Sequence, residues 1–190
     1  MVYKGEFELK NDLHSVYIVL SMSGTKFSKF LRYFSHLEFT HVSISLDEGL
    51  SELYSFGRKS LRMPLWAGLV SESVDRGVFN KYQPQCEVLK LTLTKKQYNR
   101  LLRTLNKMCN NSSYYKYNFA GILFTYFNVN RKLHKRYTCT QFVAHLLDGI
   151  DIHPNNKHES LVLPCDYYDI ENIKSIYKGD LKEYVYSFRV

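Results

Sequence analysis

The stretch from Phe39 to Arg58 commits this chain to an antiparallel sheet. Phe39-Thr40-His41-Val42-Ser43-Ile44-Ser45-Leu46 alternates with the period of two that a half-buried strand requires. Asp47-Glu48-Gly49 supplies a tight polar turn, and Glu52-Leu53-Tyr54-Ser55-Phe56-Gly57-Arg58 returns as the second arm of a hairpin. A three-residue turn centred on Glu48 sets Ser55 opposite His41.

The flanking segments extend the sheet and supply helices. Val16-Tyr17-Ile18-Val19-Leu20 is a buried type of strand, followed by a turn over 21–25 and a helix over 27–34. Cys86–Leu93 is a further strand, and Tyr98, Leu101, Leu102, Leu105 and Met108 recur at helical spacing within 95–108. Tyr117–Phe127 reads as a second helix, apolar and buried. Residues 59–80, with Pro64, Trp66, Gly68 and Gly77, read as a long loop or lid excursion with one turn or short strand. The expectation is a single α+β domain over residues 1–190, an antiparallel sheet packed against helices.

The 190 residues suffice for a core that needs no disulfide staples. Cys86, Cys109, Cys139 and Cys165 are scattered without a C-x-x-C pair, which argues for free thiols and against a zinc site. No metal and no other cofactor is expected, because metal-ligand spacings and nucleotide-binding glycine motifs are both missing. The first twelve residues lack a basic flank followed by an apolar run, and no stretch approaches the roughly 18 apolar residues of a membrane span. A cytoplasmic location is the resulting expectation. The net charge of +8 suits phosphates, nucleic acid or an anionic lipid surface without choosing among them.

Cys139 carries the chemistry. In Tyr137-Thr138-Cys139-Thr140-Gln141-Phe142-Val143 an extended segment turns into an amphipathic helix, and the unpaired amides and positive dipole end of a helix N-terminus favour a thiolate. His41, at the mouth of its strand, is the candidate base. Ser55 is the first candidate to orient the imidazole, with Glu52 or Tyr54 taking that place if the hairpin register slips by one. The backbone N–H of Cys139 is a natural oxyanion donor, and Tyr17 or Gln141 is placed as its helper. Tyr54 is a further site-lining candidate. His145 and the other three cysteines read as structural, and the Arg131–Arg136 basic run as a solvated face.

Taken in order, the Thr-His-Val-Ser-Ile-Ser strand, the Tyr-Ser-Phe-Gly-Arg strand and the late Tyr-Thr-Cys-Thr-Gln-Phe-Val helix start resemble the circularly permuted branch of the NlpC/P60 papain-like superfamily, in which the histidine precedes the cysteine. The resemblance spans roughly residues 16–170, with its informative motifs around His41 and Cys139. It implies a papain-like core with Cys139 as nucleophile, His41 as base and Ser55 nearest the third polar position. This chain departs from the pattern there, since relatives often carry His, Glu, Asn or Gln.

The expected activity is that of a cysteine hydrolase of the amidase or peptidase type, working through an acyl-enzyme on a small peptide or amide. The enzymatic alternative is a lipid acyltransferase or esterase acting on an acyl chain, with peripheral membrane contact. From a different class, a non-catalytic basic module for nucleic acid or anionic lipid stays open, although a nucleic-acid partner is not expected. The sequence leaves the oligomeric state unknown.

Overall fold

The computed structural model describes residues 13–22, 24, 37–63 and 65–189. The helix expected over 27–34 lies outside the described residues. The fold is mixed α+β, with a six-stranded antiparallel sheet at its centre in the order β4-β3-β2-β1-β5-β8. These strands are β1 (Leu13–Ser21), β2 (His41–Ser45), β3 (Leu53–Arg58), β4 (Ala67–Glu72), β5 (Gln85–Thr94) and β8 (Ile173–Asp180). A pair of two-residue strands, β6 (Lys116–Tyr117) and β7 (Arg136–Tyr137), runs parallel beside the sheet.

β1 is central because its run Val16-Tyr17-Ile18-Val19-Leu20 is apolar on both faces of the strand. Val16, Ile18 and Leu20 are fully buried in one cluster with Val42, Ile44, Leu89 and Leu91, while Val19 enters a second cluster with Leu53, Cys86 and Val88. Alternation along the strands thus divides the core between the two faces of one sheet.

The helices are α1 (Gly77–Tyr82), α2 (Lys95–Asn110), α3 (Phe119–Tyr126), α4 (Cys139–Asp148) and α5 (Leu181–Ser187). The expected helix over 95–108 is α2, opened by a Thr94/Gln97 capping box that satisfies two orphan amides and packed through Leu101, Leu105 and Met108. α4 buries Phe142, Val143, Leu146 and Leu147 in the larger cluster, where Phe142 meets Phe56 at 5.2 Å between ring centroids.

Two sequence expectations change. The hairpin pairs Ile44 with Tyr54, which sets Ser43 opposite Ser55 and His41 opposite Gly57, so the register with Ser55 facing His41 is wrong. The cause is a longer turn: Asp47 Oδ1 accepts from Ser51 N at 3.1 Å, and Leu50 adopts a left-handed φ of 51° with its side chain buried. That conformation is unfavourable by about 1 kcal/mol for a residue with a Cβ, and burial of the leucine side chain offsets it.

The 59–80 stretch holds one short strand, β4, of the kind its sequence allowed, together with the start of α1. The second apolar element is shorter than expected and not buried. Tyr117 belongs to β6, the helix begins at Phe119 behind an Asn118 cap, and Phe119 and Leu123 stand exposed.

Candidate functional site

Cys139 is the first residue of α4, and the helix start is built around it. Thr138 caps the helix by accepting from Gln141 N at 3.2 Å, while Gln141 Oε1 accepts from Thr138 N at 3.1 Å. Gln141 Oε1 also accepts from Asn118 Nδ2, and Gln141 Nε2 donates to Ser160 O at 3.2 Å. One buried side chain thus ties β7, α3, α4 and the 159–161 turn together. It is a structural cap, with one of its two amide hydrogens given to Ser160.

His41 opens β2 and reaches Cys139 across the sequence. Its Nε2 lies 2.9 Å from Glu72 Oε2, and its ring also hydrogen-bonds the Cys139 side chain, which leaves Nδ1 for the thiol. The same Glu72 oxygen accepts from Ser43 Oγ at 2.9 Å. Gly57 makes room for this pair: a Cβ there would stand 3.1 Å from Glu72 Oε1 and 3.7 Å from His41 Cε1. Phe79 of α1 closes the imidazole edge-on at 6.0 Å.

The charges support one another. Burial opposes protonation of His41, but the Glu72 carboxylate and the hydrogen bonds to Cys139 and Glu72 hold its pKa well above the usual histidine value. Burial alone would push the Cys139 thiol up, yet the bond to His41, the imidazolium charge and the amides of Val42 and Thr140 bring it below its ordinary value. The thiol is only 7% exposed. Ser55 Oγ donates to Val42 O at 2.8 Å, which satisfies the carbonyl of that residue. An ion pair of thiolate and imidazolium, braced by a carboxylate, is the protonation state this geometry favours.

The sequence-predicted candidates therefore divide. Cys139 and His41 come together. Ser55 is a buried strut for Val42, not a partner of His41. Tyr54 bonds Glu52 at the exposed end of its strand, and neither reaches the imidazole. Tyr17 lies at the middle of β1, paired with Ser45 at the opposite end of β2 from His41, and its hydroxyl donates to Glu48 at 3.0 Å. His145 is structural as expected, with Nδ1 2.9 Å from Glu159 Oε2 and its ring against Tyr137.

Two residues escaped the sequence reading. Glu72 ends the run Gly68-Leu69-Val70-Ser71-Glu72, a third strand in which the carboxylate closes an apolar stretch, and that pattern was its signal. Tyr117 stands beside the thiol. Burial, then the charges of Cys139 and Glu72, push its hydroxyl far up, while Arg58 pulls it down, so it is a neutral O–H within the field of the pair. Its cluster of neighbouring tyrosines gave no chemical signal. Among the described residues, no group of three or more His, Cys, Asp or Glu is arranged to hold a metal ion. Comparison of the chain with models of known protein families, with curated proteins and with solved structures finds no match in any of the three.

Proposed function

We propose that this chain is a cysteine hydrolase of the amidase or peptidase type, with Cys139 as nucleophile, His41 as acid and base and Glu72 as the group that positions His41, on a permuted papain-like core of the NlpC/P60 kind. The observation that carries the reading is an imidazole that bonds the thiol on one side and a largely buried carboxylate on the other. A structural cysteine needs neither partner.

In the acylation step the Cys139 thiolate forms a C–S bond to the substrate carbonyl carbon, and the carbonyl π electrons move to oxygen. The N–H of Cys139, at the first helical position and without an intrahelical acceptor, faces the developing oxyanion, and the neutral Tyr117 hydroxyl is the second donor. Collapse breaks the C–N bond, and the His41 proton goes to the departing amine. Water then attacks the thioester while neutral His41 takes its proton. The acid leaves, and the thiolate and imidazolium return. A reducing, cytoplasmic setting fits a nucleophile that must stay a free thiol, as all four cysteines are.

The experiment is iodoacetamide alkylation of Cys139 as a function of pH, read by mass spectrometry, followed by a screen of amide, ester and thioester substrates. Labelling well below pH 8, abolished or shifted upward in His41→Ala, is expected for the ion pair. A profile like that of a free thiol near pH 8.5, indifferent to the histidine, removes the catalytic assignment.

A further inference from the structure

The tip of the β3–β4 hairpin exposes apolar side chains that serve no core. Leu61, Met63, Leu65 and Trp66 are 43%, 53%, 78% and 54% exposed, and Leu65 and Trp66 are held by a closed backbone turn in which Trp66 N donates to Met63 O and Lys59 N to Trp66 O. On α3 and its C-terminal loop, Phe119, Leu123 and Val129 are exposed in the same way. The two segments meet at their base. A Cβ on Gly68 would stand 3.6 Å from Tyr115 O, Tyr117 responds to the charge of Arg58, and the rings of Tyr117 and Phe119 lie 4.7 Å apart.

The charge around this apolar rim has one sign. Residues 53–71 and 88–147 contain no Asp or Glu at all. Lys59 and Arg62 on the hairpin, and Lys116, Arg131, Lys135 and Arg136 around α3, are exposed and form no ion pair with a carboxylate among the described residues. Lys132 is the exception, answered by Glu159 at 2.6 Å.

We propose that the hairpin tip and the exposed side of α3 form a docking surface for an anionic phospholipid bilayer. Basic side chains draw the protein to the lipid phosphates and carboxylates, and Leu65, Trp66 and Leu123 enter the boundary between headgroup and acyl chain. Aliphatic tips have no use against a nucleic-acid backbone, and a symmetric contact between two copies would press one basic surface against itself. The proposal rests on the exposure of these side chains and on the charge around them, and it does not depend on the catalytic reading.

Trp66 is the only tryptophan in the chain and makes the test direct. The full chain is titrated with phosphatidylcholine vesicles, with and without phosphatidylserine, while Trp66 emission is followed and bound protein is measured by sedimentation. A blue shift is expected with the anionic vesicles, with partition roughly tenfold or more above that to neutral ones and weakened by added salt. Leu65→Glu with Leu123→Glu keeps the reporter and is expected to lower partition at least about tenfold. Arg62→Glu lowers it independently. An unchanged Cys139 alkylation profile shows that these variants are folded. The proposal is overturned if anionic vesicles leave Trp66 unshifted, if neutral vesicles bind equally, or if polyuridylate shifts the emission where vesicles do not. A concentration-dependent shift without lipid, lost in the double variant, assigns the surface to self-association instead.

Discussion

The Glu72 carboxylate lies 2.9 Å from Nε2 of His41, on a strand two places away in the sheet and 31 residues away in the chain. Both side chains are about 13% exposed, so the charge of one is felt almost fully by the other.

Replacing Glu72 with Gln keeps the shape and removes that charge. The imidazole then falls toward an ordinary histidine pKa, the thiol rises because its counter-charge is depleted, and the alkylation midpoint of Cys139 moves up by roughly one to two pH units. An unmoved midpoint would mean that Glu72 only fills space.

Tyr117→Phe deletes the neutral hydroxyl within the field of the thiol. Turnover of any substrate found is expected to fall about 10²-fold, the order seen when one oxyanion donor is lost, while the alkylation midpoint stays nearly in place. If turnover is unaffected, the oxyanion is held by the backbone alone.

Gln141→Leu tests the helix cap. The change strands Asn118 Nδ2 and Thr138 N, which use the glutamine now, and leaves Ser160 O with Thr125 Oγ1 alone as its donor. Urea denaturation is expected to show a loss of about 3 kcal/mol. A loss near zero would place Gln141 outside the structural role assigned to it.

Glu159 answers to pH in a definite direction. Burial raises its carboxyl, but the bond to His145 and the bond to Lys132 outweigh this and hold it below the ordinary value. The pair therefore stabilises the fold at pH values above the unfolded pKa of about 4.3, and that contribution is lost as pH falls through the lower folded value. Glu159→Gln is expected to destabilise by about 2 kcal/mol near neutrality, less than for a fully enclosed pair because Lys132 is half exposed, and by much less in acid. A pH-independent difference in melting temperature would contradict this.

The pairing of Cys139 with His41 was legible because each residue opens an element whose pattern is strong: Cys139 at the start of the apolar spacing of α4, and His41 at the start of alternating β2. The positioning group was not, because it depends on register. Leu50 takes a left-handed turn position that its composition does not announce, and this moves Ser55 away from His41 and brings Gly57 opposite it. Glu72 lies beyond Pro64 and Gly68, residues that speak for a loop when read locally, whereas pairing of Ala67–Glu72 along β3 overrides them. α3 deceived by composition: a helix apolar on all sides reads as buried, yet Phe119 and Leu123 face outward.

The order of the elements along the chain gives Cys139 a second meaning. His41 and Glu72 are joined through neighbouring hairpins, which a growing chain can close early, but the thiol arrives only when residue 139 returns to residue 41 and the intervening segments have settled. Labelling of Cys139 at mildly acidic pH during refolding therefore counts the molecules whose distant halves have met, and its time course is a clock for completion of the tertiary structure.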